Sequence, residues 1–148
     1  MRSAEAALAL ALAFAGALPA AGLAADCAPD QVDLRDADTS LRFHVEVMDT
    51  EAGREKGLMF RQSMPKFSGM LFVYEEPQPV AFWMKNTLIP LDMIFIRADG
   101  IIANIETAVP LSLDSVPSAG DAAAVLEIAG GRSAELKIKA GDKVDWPH

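Results

Sequence analysis

The residues best able to do chemistry form one polar cluster inside an otherwise apolar run, FWMKNTLIPLDMIFI, at positions 82–96. Lys85, Asn86 and Thr87 supply an ammonium, an amide and a hydroxyl on successive residues, and the carboxylate of Asp92 follows shortly after. A buried polar group without a partner costs about 1–3 kcal/mol, so either the protein or a ligand must satisfy each one. The cluster is therefore the first candidate for a site.

A structural interpretation of this cluster needs no ligand. Asn86 and Thr87 could bond the backbone of the connection that Pro90 ends. Asp92 could pair with Arg54 or Arg61, which precede the cluster in the chain. In that case the polar groups serve only to hold the fold together.

A functional interpretation places the same residues around a cleft. Trp83 would form a flat apolar wall, and amide, hydroxyl, carboxylate and guanidinium groups would give directional contacts, as small-molecule pockets require. Sugars and small carboxylates suit such a set, because arginines hold carboxylates bidentately and aromatic faces pack against sugar rings. The candidate ligand-binding residues are Arg54, Arg61, Trp83, Lys85, Asn86, Thr87 and Asp92.

Catalysis has less support in the sequence. His44 and His148 are the only histidines, and neither adjoins the cluster. Asp92 and Glu106 could act as a carboxylate pair on a glycosidic bond, which keeps a carbohydrate hydrolase open as an alternative. No residue is assigned a catalytic role, and an enzyme is not the favoured interpretation.

The chain is rich in methionine, whose thioether sulfur favours Cu(I), so a metal site is one interpretation of the sequence. No Met-x-Met or Met-x-x-Met pair occurs, so these side chains are better explained as adaptable core residues. One cysteine and scattered histidines also give no zinc-ligand spacing. We therefore expect no metal and no cofactor, with a Cu(I) protein as an alternative. The methionines concerned are Met48, Met59, Met64, Met70, Met84 and Met93.

The first 25 residues have the pattern of a signal peptide, with an apolar run of Ala, Leu and Gly followed by Pro19 and small residues. The protein is therefore expected to be periplasmic or secreted, with no stable membrane insertion after cleavage. Cys27 would then be a free thiol or an intermolecular link. Acidic residues at 26–40 suggest a flexible tether, and the formal net charge of −8 argues against a nucleic acid partner.

The elements that would position the cluster are mainly β-strands. LRFHVEV at 41–47 alternates apolar and polar residues, and the apolar run at 91–97 indicates a strand covered on both faces. An Asp-Gly pair at 99–100 predicts a tight hairpin, and a short helix is expected around 50–56. We predict a single β domain at 41–148, a compact β-sandwich, jelly-roll-like fold or small barrel with about seven short strands and one or two short helices.

Several segments together resemble a known family. GREKGLMFR, GMLFVY, FWMKNTLIPLDMIFI, VLEI and IKAGDKV are similar to the bacterial and archaeal domain-of-unknown-function family 192, from Leu41 to the C-terminus. The resemblance implies a mainly β domain that is often exported, and it implies no established enzymatic activity. The positions that match the family are Arg54, Gly57, Leu58, Met59, Arg61, Met70, Phe72, Trp83, Lys85, Asn86, Thr87, Pro90, Leu91 and Asp92.

The sequence thus predicts an exported domain that binds a small ligand, either a sugar or a small carboxylate, or that has an accessory role. A purely structural module, a carbohydrate hydrolase and a Cu(I)-binding protein remain as alternatives. The identity of the ligand and the oligomeric state are left open.

Overall fold

The computed structural model describes residues 28–147 and contains seven strands and two short helices. The predicted mainly β fold is confirmed. The predicted signal peptide, Cys27 and His148 lie outside the described residues. The elements are β1 (Gln31–Arg35), β2 (Ser40–Met48), α1 (Glu51–Lys56), β3 (Ser68–Phe82), β4 (Leu91–Ile96), β5 (Ile102–Ala108), β6 (Val116–Ala129), α2 (Arg132–Leu136) and β7 (Lys143–Asp145).

All seven strands belong to one curled sheet with the order β5-β4-β6-β3-β2-β1-β7. The pair β2 and β3 is parallel, and the other pairs are antiparallel. A bridge between Ile101 and Lys143 brings the two edges of the sheet together, and the Val144 N–H donates to the Gly100 carbonyl at 2.7 Å. The fold is therefore a half barrel made from one sheet, and not two stacked sheets.

Apolar side chains cover both faces of this sheet. Successive residues of a strand point to opposite faces, so Ile94 and Ile96 of β4 join one buried cluster, while Met93 and Phe95 join the other. All six residues of β4 are buried, as the apolar run predicted. The position of a polar residue along such a strand therefore decides which cluster it enters.

Three parts of the sequence interpretation need correction. Residues 31–35, within the segment predicted to be a flexible tether, form β1, because Val32 and Leu34 are buried in the core. Residues 68–82 form one long strand with register shifts, although the turn-forming residues of EEPQP predict two separate strands, MLFVY and VAFWM. The Pro, Ser and Gly residues of PLSLDSVPSAGDA at 110–122 predict a long surface loop, but residues 116–122 belong to β6, which pairs with β3 across Pro79–Asp121 and Phe82–Val116.

The short helix α1 begins and ends as its sequence indicates. Thr50 caps its N-terminus, with the side-chain oxygen accepting from the Gly53 N–H at 3.2 Å, and Gly57 ends it with a φ of 46°. Arg54 leaves this helix towards β3, where its Nη1 donates to the Val73 carbonyl at 3.1 Å. Within residues 28–147, no helix has the length and apolar character needed to cross a bilayer.

Candidate functional site

A cleft of ≈ 280 Å³ lies between α1, β3 and the segment that follows β3. Its lining combines aromatic and aliphatic walls with charged groups from the helix and one carboxyl from the sheet. The lining residues are Glu51, Arg54, Glu55, Lys56, Gly57, Leu58, Met59, Phe72, Tyr74, Ala81, Phe82, Trp83, Thr87 and Glu127.

Glu127 is the polar group set deepest in the wall of the cleft. It lies on β6 opposite Met70 of β3 and Met93 of β4, so it occupies the middle of the sheet, and it is only 4% exposed. No hydrogen bond to its carboxyl is formed within the described residues. Burial raises the pKa of Glu127 to about 8. At neutral pH this side chain is mostly a neutral acid that can donate a proton in a hydrogen bond.

Tyr74 connects Glu127 electrostatically with Arg54. The Arg54 guanidinium carbon is 5.3 Å from the centre of the Tyr74 ring. Burial raises the pKa of Tyr74, the positive charge of Arg54 opposes this rise, and the negative charge of an ionised Glu127 adds to it. The phenol is therefore within electrostatic reach of both groups. Apart from its bond to Val73, the Arg54 guanidinium forms no hydrogen bond among residues 28–147.

Three of the seven residues predicted to bind a ligand line this cleft, namely Arg54, Trp83 and Thr87. Lys85 does not line it, but its Nζ lies 5.1 Å from the centre of the Trp83 ring. An ammonium therefore lies against one face of the tryptophan. The structure brings these four residues to the same end of the molecule.

Asp92 is placed elsewhere, on the opposite face of the sheet from Glu127. It is fully buried, and its carboxylate accepts hydrogen bonds from Thr107 Oγ1 at 2.7 Å, the Gly131 N–H at 2.9 Å and the Ser133 N–H at 2.7 Å. These bonds fix the start of α2 to β4 and β5. Asp92 does not line the cleft.

The predicted ion pair between Asp92 and Arg54 or Arg61 is not formed. Arg61 instead binds the carboxylate of Glu46 with both terminal nitrogens, at 2.5 and 2.7 Å, on an exposed part of the surface. This contact raises the pKa of Arg61 and lowers that of Glu46. Arg61 is also outside the cleft lining.

Asn86 and Thr87 shape the connection between β3 and β4. Asn86 has a φ of 55°, a left-handed conformation that asparagine tolerates better than most residues, and its carbonyl accepts from the Phe60 N–H at 2.8 Å. Its Nδ2 lies 3.9 Å from Met59 Sδ. Thr87 Oγ1 donates to the Lys85 carbonyl at 3.2 Å. The Thr87 side chain thus bonds the backbone of the connection as the structural interpretation expects, whereas the Asn86 side chain has Met59 as its partner.

The carboxylate pair proposed as a catalytic alternative finds no matching geometry. Asp92 is sealed in the core, whereas Glu106 is exposed and accepts from Asn104, so the two do not face a common substrate. Met70, Met84 and Met93 are buried core residues. In the part of the chain that the structure describes, no three His, Cys, Asp or Glu residues are grouped to hold a metal ion.

Sequence reasoning missed Glu127 and Tyr74. Glu127 lies in AVLEI, an apolar strand interrupted by one acid, which is the same signal that drew attention to Asp92. Tyr74 closes the strand GMLFVY, where an aromatic residue with a polar end is unexceptional. The acid in AVLEI could have been identified from sequence, but its position in a cleft could not.

Solved structures of two related proteins share this fold. The first, from Novosphingobium aromaticivorans DSM 12444, is a protein of unknown function that is 44% identical over 78% of this chain and 84% of its own, with a TM-score of 0.76. The second, from Sinorhizobium meliloti 1021, is described as a candidate transcription regulator and is 41% identical over 77% of this chain and 90% of its own, with a TM-score of 0.75. No curated protein matches the chain.

A family model also covers most of the domain. Residues 32–146, from β1 to the residue after β7, match the model of DUF192, described as Uncharacterized ACR. The match includes the cleft, Glu127 and the polar cluster around Asn86. It also includes β1, which the resemblance drawn from sequence motifs had left out. The chain belongs to the DUF192 family.

Proposed function

We propose that this domain binds a small organic carboxylate in the cleft, with the carboxylate oxygens held by Arg54, Tyr74 and the protonated form of Glu127. The observation that carries the proposal is the state of Glu127, a buried carboxyl in the cleft wall without a hydrogen-bonding partner among the described residues. A neutral acid in such a place provides a donor that a molecule bound in the cleft can use.

The hydrogen-bonding character of the cleft favours a carboxylate over a sugar. Arg54, the Tyr74 phenol and protonated Glu127 all present donors, and an ionised carboxylate offers acceptors alone. A sugar would instead need a free aromatic face, but Lys85 lies against one face of Trp83. The aliphatic and aromatic walls at Leu58 and Phe72 would enclose the body of the ligand.

Nucleic acid binding is not proposed, although one relative is described as a candidate transcription regulator. The formal net charge of −8 opposes association with a phosphate backbone, which requires Lys and Arg to replace condensed counterions. Export, inferred from the first 25 residues, would place the domain in the periplasm or outside the cell, and it is part of this proposal.

The proposal is tested by titrating the protein with acetate, propionate and benzoate at pH 6.5 and pH 9.5. Trp83 fluorescence reports binding, because this side chain lines the cleft and is 50% exposed. A Trp83→Phe variant assigns the signal, since Trp146 is buried elsewhere. We expect binding at pH 6.5 and about tenfold weaker binding for each pH unit above the pKa of Glu127, because the ionised carboxylate then repels the ligand.

Two variants and one control sharpen this experiment. Arg54→Gln should weaken binding at least tenfold, and Glu127→Gln should remove the loss of affinity at high pH, because its amide remains neutral. Arg97→Gln is the matched control, since Arg97 pairs with Asp99 on the surface outside the cleft. Binding that strengthens as pH rises through 8 would instead indicate a cationic ligand and would refute the carboxylate proposal.

A further inference from the structure

Large apolar side chains are concentrated at the end of the molecule beside the cleft. Six of them are between 45% and 69% exposed. They lie on three segments joined by backbone hydrogen bonds: Phe60 N–H to the Asn86 carbonyl at 2.8 Å, Leu111 N–H to the Thr87 carbonyl at 3.1 Å, and Met84 N–H to the Ser112 carbonyl at 2.9 Å. We call this set the apolar rim, and it consists of Phe60, Trp83, Leu88, Val109, Leu111 and Leu113.

Two residues of the apolar rim have a disfavoured backbone conformation. Phe60 has a φ of 66° and Leu111 a φ of 65°, in the left-handed region that bulky residues rarely adopt. Both side chains remain mostly exposed to water, at 65% and 59%. Backbone strain of this kind is concentrated at functional sites. Here it coincides with large apolar side chains that are mostly exposed.

The cleft and the apolar rim are continuous. Trp83 belongs to both, because it lines the cleft and is half exposed beside it. Met59 and Thr87 line the cleft and directly precede Phe60 and Leu88 of the rim. Leu111 joins this arrangement through its backbone bond to Thr87. A molecule that leaves the cleft along these segments therefore meets apolar side chains.

We propose that the ligand is an amphiphilic carboxylic acid whose head group enters the cleft and whose hydrocarbon chain lies across the apolar rim. This inference rests on the proposed function and names the class of carboxylate. Burial of hydrocarbon against the rim would remove apolar surface of both partners from water, which is the dominant favourable contribution to such binding. An exposed apolar patch of this kind is a recognised mark of a binding surface.

Two observations favour a ligand chain over other occupants of the rim. Trp83 is shared with the cleft, so one molecule can contact both surfaces at once. The formal charge of −8 opposes approach to an anionic lipid surface. A second copy of the chain would cover the rim but would leave the unpaired carboxyl of Glu127 in the cleft unexplained.

The test is a series of straight-chain acids from acetate to decanoate, used below their micelle concentrations at pH 6.5. Affinity should rise about two- to fourfold for each added methylene group that contacts the rim. The double variant Leu111→Asn with Leu113→Ser should abolish this dependence on chain length while leaving acetate binding unchanged. Asparagine suits the left-handed backbone at position 111. Leu111→Met is the control that keeps the rim apolar and should retain the dependence.

The outcomes separate this inference from the proposed function. If acetate binds but affinity does not grow with chain length, the amphiphile inference fails and the carboxylate site stands. If no acid of any length binds, both fail. Chain-length dependence that survives in the double variant refutes the role of the rim. If the protein cosediments with phosphatidylcholine vesicles and the double variant does not, the rim binds a bilayer instead. If the protein forms a dimer in sedimentation velocity and the double variant does not, the rim binds a second copy of the chain instead.

Discussion

Thr107 Oγ1 donates a hydrogen bond of 2.7 Å to Asp92 across the antiparallel pair of β5 and β4. The same carboxylate accepts from the backbone N–H groups of Gly131 and Ser133. Asp92 therefore joins a central strand, an edge strand and the start of α2 through one buried side chain. Its role is to hold these three elements together.

Asp92→Asn should destabilise the domain by about 2–4 kcal/mol. The amide of asparagine is uncharged and offers only one acceptor oxygen, whereas the carboxylate is charged and offers two. Thr107→Val removes a single donor and should cost about 1–2 kcal/mol. Urea denaturation monitored by circular dichroism measures both values. Equal stability of Asp92→Asn and wild type would contradict the structural role, and carboxylate binding should be unaffected in either variant.

The raised pKa of Glu127 should make stability depend on pH in a defined window. The pKa of Glu127 is 4.5 in the unfolded chain and about 8 in the folded protein. Between these two pH values, Glu127 keeps its proton in the folded state and has lost it in the unfolded state. The free energy of unfolding should then fall by about 1.4 kcal/mol per pH unit across this window. The stabilisation is fully present below pH 4.5 and is lost as pH rises to 8.

Urea titrations at pH 5, 6, 7 and 8 measure this slope, and Glu127→Gln should flatten it. The pKa values of other carboxyls, such as Asp33 and Glu46, are lowered in the folded state. These groups change stability only at lower pH, and they make it rise with pH, so they do not cause the fall in stability between pH 5 and 8. Glu76→Gln is a matched control, because Glu76 is exposed on β3 outside the cleft. An identical slope in Glu127→Gln and wild type would show that another group is responsible.

Asn86 should contribute through its backbone conformation. Asn86 has a φ of 55°, and alanine tolerates this left-handed conformation less well than asparagine does, so Asn86→Ala should cost about 1–2 kcal/mol, whereas Asn86→Gly should be close to neutral. Thermal unfolding of the two variants measures the difference. Because Asn86 does not line the cleft, ligand affinity should be unchanged in both. Loss of binding in Asn86→Gly would show that the Asn86 side chain contributes to the ligand site after all.

The pair of Arg61 and Glu46 should contribute little. Both side chains are substantially exposed, at 40% and 52%, and such surface ion pairs are worth about 0–1 kcal/mol. Arg61→Ala is therefore expected to shift the urea midpoint only slightly, and high salt should reduce the difference further. A loss of several kcal/mol would mean that Arg61 has a buried partner after all.

The fold could be predicted well because its signals are local. Alternation in LRFHVEV, the apolar run of β4 and the Asp-Gly pair at 99–100 each indicate an element that the structure contains. The acidic segment before Leu41 was misjudged, because the pairing of β1 with β2 and β7 overrides its polar composition. That pairing depends on distant residues, which local pattern does not reveal.

The candidate site was harder to predict because it depends on which face of the sheet a side chain enters. β4 and β6 are buried on both faces in this region. Asp92 in β4 and Glu127 in β6 therefore give the same sequence pattern, a single acid in an apolar strand. Asp92 shares its face with Ile94, whereas Glu127 lies opposite Met93 on the other face, towards the cleft. Only the sheet register separates the structural carboxylate from the one in the cleft.

The contact between Ile101 and Lys143 has a consequence for solubility. β7 covers the outer edge of β1, and its residues Lys143 and Val144 also contact the segment that leads into β5. Without these few residues, the outer row of backbone amides and carbonyls along β1 would be free to pair with strands of neighbouring molecules. The three residues of β7 thus protect the β1 edge from strand pairing between molecules.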